Sequence, residues 1–157
     1  MAKPWKVLDL NPDESLRQCL HKIALTRFQE TFSYESATMN GEDIEALHDM
    51  RVSARRLRAV LRIFRGCFSK KKLKKQDARL QSLIRSLGAV RERDVFLESL
   101  SSYRNSLEPS DRKVIDLLIA RETTARLLDR RVLLRELKLL KRTSYADSFA
   151  AFLKTSL

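Results

Sequence analysis

The sequence predicts an all-α protein, an antiparallel helical bundle of about four to six helices with a basic central channel. Three observations carry that expectation. Only three Gly and three Pro occur in 157 residues, so long stretches contain nothing that interrupts a helix. Apolar residues recur at alternating spacings of three and four along most of the chain, the pattern of a buried helical face. No stretch shows the strict apolar–polar alternation of a half-buried strand. The chain is 43% apolar, which suits one core and argues against disorder, so residues 1–157 are expected to form a single domain.

The elements follow in order. Residues 1–12 read as an irregular lead-in broken by Pro4 and Pro12, with Trp5 packed on the bundle. Asp13 and Glu14 suit the positive end of a first helix, which runs to Tyr34 or Ser36 and buries Leu16, Cys19, Leu20, Ile23, Phe28 and Phe32. Thr38 to Gly41 is a turn, and Asp43 caps the second helix. Gly66 lies near that helix's end, and Ser69 or Lys70 opens the third. Leu73, Leu80, Leu83, Ile84 and Leu87 form the third helix's apolar side, and Gly88 is expected to end it. Arg91 to Asp94 then reads as a tight connection, with Asp94 capping a fourth helix to about Leu107 or else pairing with a neighbouring Arg. Pro109-Ser110-Asp111 stops the chain and restarts it. A long helix from Ser110 to about Leu140 is expected to bury Val114, Leu118, Ala125, Leu128, Val132 and Leu139. Residues 144–157 form a short last helix with Tyr145, Phe149, Phe152 and Leu153 inward.

The net charge of +12 implies a polyanionic partner or a membrane surface. It is unevenly placed. Residues 41–93 hold 15 Lys and Arg against six acids, whereas residues 1–40 are neutral. No run approaches the roughly 20 apolar residues of a spanning helix, and MAKPWKVLDL lacks the apolar core of a signal peptide. Cys19 and Cys67 read as buried thiols in a reducing compartment, so a cytoplasmic protein is expected. Ordinary zinc-ligand spacings are absent, and no cofactor is expected.

The surplus charge is organised in the stretch His48 to Arg65, HDMRVSARRLRAVLRIFR. Leu47, Met50, Ala54, Leu57, Leu61 and Phe64 make its apolar face. One residue along, about 100° round the helix, His48, Arg51, Arg55, Arg58 and Arg62 follow the same spacing. Val52, Ala59 and Ile63 lie beyond them. A single-sign row between two apolar strips is expected to line a cleft or pore between helices. Arg121 and Arg135 interrupt the expected core line of the long helix, which makes sense if that line borders the same channel. The lysine run Lys70, Lys71, Lys72, Lys74 and Lys75 is either a solvated face or an entrance for a polyanion.

His48, Arg51, Val52, Arg55, Arg56, Leu57 and Arg58 stand as H-x-x-R-V-x-x-R-R-L-R, which resembles the signature of the CHAD family, the conserved histidine α-helical domain. Downstream, Gly88 followed by Arg91, Glu92, Asp94 and Val95 resembles that family's second marker, with Glu92 where Asp is usual. The resemblance runs from about residue 14 to the end. It implies a non-enzymatic helical domain that binds inorganic polyphosphate, in the cytoplasm or on polyphosphate granules there. It brings Arg56 and Arg91 into the candidate site, although Arg56 falls off the stripe by wheel angle. The family usually has two such halves, each with its own motif, whereas this chain carries one. Two chains pair to rebuild the double unit, or one half works alone, or further residues follow.

Guanidinium groups are always charged, and their forked donors match phosphate oxygens. One per helical turn advances about 5.4 Å, which presents successive arginines to an extended polyphosphate. His48 heads the row and is expected to donate as the neutral imidazole. The main alternative is a nucleic-acid-binding helical protein. Against it stand the inward-facing arginines, the absence of a recognised motif, and the lack of aromatic residues among the basic stripe. A metal phosphohydrolase of the helical HD type is the lesser alternative. His21 and the His48-Asp49 pair resemble its ligands loosely, but the surrounding positive charge would repel a divalent cation.

Overall fold

Local capping signals start and stop the helices. Ser15 and Gln18 form a capping box: Gln18 N donates to Ser15 Oγ (3.3 Å) and Ser15 N to Gln18 Oε1 (2.9 Å). Asp43 Oδ1 accepts from Glu45 N at 2.8 Å, as its position before an apolar-periodic run predicts. The computed structural model describes residues 3–41 and 43–156. Among these are six α-helices and no strand: α1 Leu16–Ser33, α2 Glu35–Asn40, α3 Ile44–Ile63, α4 Lys70–Asn105, α5 Arg112–Arg142 and α6 Tyr145–Ser156. Single 3-10 turns at Arg65–Cys67 and Pro109–Asp111 join α3 to α4 and α4 to α5. The expected Thr38–Gly41 turn is the end of α2. Gly41 closes it at φ +79°, and a Cβ there would meet the Arg130 guanidinium, which donates to Thr38 O (3.3 Å) and Met39 O (2.8 Å).

The core lies where α1, α3, α6 and the N-terminal half of α4 meet the C-terminal half of α5. Leu20, Met50, Leu57, Leu61, Leu80, Leu83, Leu87, Leu133, Leu137 and Phe149 are fully buried. Phe28 and Phe149 stack at 4.4 Å, and Arg79 sits 5.3 Å from the centre of the Tyr145 ring. Burial raises the Tyr145 phenol well above its ordinary value.

Three expectations are corrected. First, Gly88 does not end a helix. α4 runs through it for 36 residues, roughly 54 Å. A single Gly costs only about 1 kcal/mol in a helix interior, and the buried spacing Leu80, Leu83, Leu87, Val90, Asp94 continues past it without a change of phase. Second, Asp94 is therefore no cap. It is 5% exposed in mid-helix and pairs with Arg126 Nε of α5, which is not one of the arginines named for the site. Third, the expected core line of α5 faces outward: Val114, Leu128, Val132 and Leu139 are exposed, and the buried residues are Glu122, Leu133, Leu137 and Leu140. No residue from Ser101 to Arg121 is buried, so the far end of α4 and the start of α5 form a two-helix arm. Ion pairs tie this hairpin: Arg93 to Glu122 and Asp129, Arg104 to Asp116, and Arg126 to Asp94.

Smaller departures concern the ends of the bundle. Leu16 and Trp5 are exposed, although the Trp5 carbonyl accepts from Arg27. Cys19 and Cys67 are half-buried free thiols rather than fully buried ones.

Candidate functional site

α3 buries Leu47, Met50, Ala54, Leu57 and Leu61. That fixes the helix's rotation and turns the adjoining stripe toward the seam with α4. The two helices run antiparallel along it. Arg51 lies over Gly88, where a Cβ would stand 3.6 Å from Arg51 Nε, and Arg58 meets Asp77 and Gln81. Arg55, between them on α3, is exposed. The stripe lines an open furrow, not an enclosed channel within one chain. Ile63, in the expected second apolar strip, is 74% exposed, Ala59 is exposed and Val52 is half-buried. Packing therefore closes only one side of the arginine row.

At one end, His48, Arg51 and Arg91 line a hollow of about 450 Å³ with Glu92, Val95, Phe96 and Ser99. Arg51 Nε and His48 Nδ1 are shielded from solvent and have no hydrogen-bond partner among the described residues. A buried polar group left unpaired costs roughly 1–3 kcal/mol, and a phosphate oxygen arriving in the hollow would remove that cost for the guanidinium. Because Gly88 has no side chain, nothing from that position covers the Arg51 Nε.

At the other end, Arg62, Arg65, Lys70 and Lys74 line a hollow of about 550 Å³ with Gly66, Leu73 and Asp77. Two members of the lysine run thus face the furrow, whereas Lys72 is turned to Thr155 Oγ1 at 2.8 Å. Between the hollows, Arg58 is held by Asp77: Nε lies 2.6 Å from Oδ1, and Nη2 3.1 Å from Oδ2. That carboxylate holds the Arg58 guanidinium above its ordinary range, against a smaller opposing effect of burial.

The structure brings His48, Arg51 and Arg91 to one hollow and Arg62 to the other, with Arg58 between them; Arg55 keeps the helical spacing of the row but lines neither hollow, and the other three candidates stand elsewhere. Arg56 points to the α1 side, where its Nη1 lies 3.3 Å from Oε1 of the fully buried Glu30, which also pairs with Arg27. Arg121, with its side chain 79% exposed, stands beside Glu122 on the outer side of α5. Arg135 is exposed there too, its Nε 3.4 Å from Arg131 O. Neither interrupts a core line, because the line they share faces solvent.

Two furrow residues escape the periodicity of the sequence. Phe96, 43% exposed, puts an aromatic ring beside the basic hollow, contrary to the expectation that none is there. It follows Gly88 and Glu92 at helical spacing, a signal that a helix break at Gly88 would hide. Asp77 lies one turn before Gln81 on the same line of α4. Among the described residues no group of three or more His, Cys, Asp or Glu side chains is arranged to hold a metal ion. No helix among them is long and apolar enough to cross a membrane.

Comparison with known families gives a match to the family model for the CHAD domain over residues 22–157. A comparison with curated proteins found no match.

Proposed function

The chain belongs to the CHAD family, and on that premise we propose that it is a non-catalytic module that binds inorganic polyphosphate along the α3–α4 furrow. The observation that carries the reading is the pair of buried, partnerless groups, Arg51 Nε and His48 Nδ1, in a hollow shared with Arg91. Six buried side-chain polar atoms lack a partner among the described residues, and Arg51 Nε and His48 Nδ1 are the two that share one hollow with a further arginine, which supports a ligand there. The ligand chemistry follows from the residues. Arginine forks take phosphate oxygens two at a time, and Arg51, Arg55, Arg58 and Arg62 repeat at one per turn, as a chain of repeating phosphates requires. No bond need be broken for such binding, and the reading assigns no catalytic residue.

Reversing the charge of Arg51 or Arg55 tests this reading. Arg51→Glu and Arg55→Glu should each weaken binding of long-chain polyphosphate by at least a hundredfold while the helical circular dichroism stays unchanged. Binding that survives both substitutions would place the ligand elsewhere.

A second reading, a single-stranded nucleic acid, is favoured by one observation. Phe96 offers a stacking surface beside Arg51 and Arg91, and the open furrow admits a strand that an enclosed channel would not. A mononucleotide that competes better than tripolyphosphate would favour it.

The same proposal includes a second copy of the chain. One copy leaves the furrow open, with exposed Ile63 beyond the stripe and exposed Val114, Leu128 and Val132 along α5. Pairing of two copies would cover such apolar surface.

A further inference from the structure

The two hollows of the furrow are not joined by a run of free guanidinium groups. Arg58 stands between them with two of its donors on Asp77 and a third contact, Nη2 to Gln81 Oε1, at 3.3 Å. A carboxylate in that forked position takes up the donors that a phosphate would use. Both partners remain partly open to solvent, with the Arg58 side chain 23% and the Asp77 side chain 29% exposed. Asp77 also lines the hollow that holds Arg62, Lys70 and Lys74. It is therefore placed to leave Arg58 for water without crossing a packed core. Arg51, by contrast, has no anion on its Nε, which is buried and unpaired beside the other hollow.

We propose that Asp77 is a built-in competing anion that gates Arg58 and splits the furrow into two phosphate subsites, so that only a chain long enough to occupy both displaces it. This rests on the polyphosphate reading of the furrow and names what sets its response to chain length. Arg51 and Arg62 are 11 residues apart on α3, roughly 16 Å along the axis. A short oligophosphate settles in one hollow and leaves the Arg58–Asp77 pair closed. A long chain holds both hollows at once, and its tethered middle presents phosphates to Arg58 at high effective concentration. Those phosphates take over the Arg58 donors, and Asp77, now beside a polyanion, swings to solvent. Discrimination between short and long chains is thus weakened by the displacement that long chains must carry out.

The test is a binding titration with tripolyphosphate and with long-chain polyphosphate at about 150 mM salt. It compares the unmodified protein with Asp77→Asn, Arg58→Gln and the double variant. Asp147→Asn, an exposed acid on α6, controls for the loss of one negative charge. Asp77→Asn should tighten long-chain binding by about tenfold, the size of one charge-assisted hydrogen bond released to the ligand. It should tighten tripolyphosphate much less, since that ligand loses only the repulsion of the carboxylate in the wall of the Arg62 hollow. The control should leave both ligands within about twofold, and the long-chain gain should vanish in the Arg58→Gln background. Asp77→Ser repeats the test with a smaller side chain should the amide variant unfold. If Asp77→Asn matches Asp147→Asn, or tightens both ligands equally, Asp77 is only a clip between α3 and α4 and the gate is wrong. If the unmodified protein binds neither phosphate chain, the polyphosphate reading itself fails, and the gate with it.

Discussion

Arg51 and Arg56 stand five residues apart on α3 and have different surroundings. Arg51 keeps a buried Nε with no partner, in a hollow open to ligand. Arg56 neutralises Glu30, whose carboxylate is fully buried and shared with Arg27. Removing Arg56 leaves part of that charge uncompensated away from water, and such losses are costly. Arg56→Ala should lower stability by about 1–2 kcal/mol in urea denaturation and leave polyphosphate affinity within about twofold. A large loss of affinity with unchanged stability would return Arg56 to the site. The helical wheel puts Arg56 off the stripe, and only the family motif brings it to the candidate site. A motif marks residues that recur together and does not separate those that hold the fold from those that meet the ligand. Phe96 and Asp77 show the converse: their roles depend on the register between two helices, which spacing within one helix cannot supply.

Periodicity and caps make most elements legible in the sequence alone. Asp43, Ser69 and Pro109 mark real helix starts, and Leu47, Met50, Ala54, Leu57 and Leu61 are the buried face of α3. Local signals mislead where they conflict with a longer one. Gly88 and the acids after it look like a stop and a cap, yet the apolar phase of α4 runs through them, and tertiary packing outweighs a penalty of about 1 kcal/mol. α5 misleads for another reason. It carries two apolar stripes, and periodicity alone does not say which one meets the core. Gly88 offers a direct check. A Cβ there would make ordinary contacts, the nearest at 3.6 Å from Arg51 Nε. Gly88→Ala should therefore raise the unfolding free energy by about 0.5–1 kcal/mol through helix propensity. Destabilisation instead would mean that the seam between α3 and α4 cannot accept a methyl group.

At the scale of the whole molecule, the charge of +12 is concentrated by folding. Residues 41–93 carry most of the surplus, and α3 and α4 place much of it along one furrow. Like charges so arranged repel each other in the unliganded protein, and a bound polyanion relieves that repulsion. The exposed apolar residues of α5 and the arm from Ser101 to Arg121, which holds no fully buried residue, suit a second copy. Sedimentation at tens of micromolar protein should give twice the mass of one chain, and Val132→Glu on the α5 stripe should return it to the single-chain mass. A single-chain mass for the unmodified protein would exclude pairing. Whether the furrow recognises linear phosphate is decided by a thermal-unfolding titration. Long-chain polyphosphate and duplex DNA are compared at matched phosphate concentration and about 150 mM salt. Polyphosphate should raise the midpoint by several degrees, far more than DNA, because a ligand that binds only the folded state stabilises it by mass action. Equal shifts with both polymers, or no shift with either, would contradict the claim.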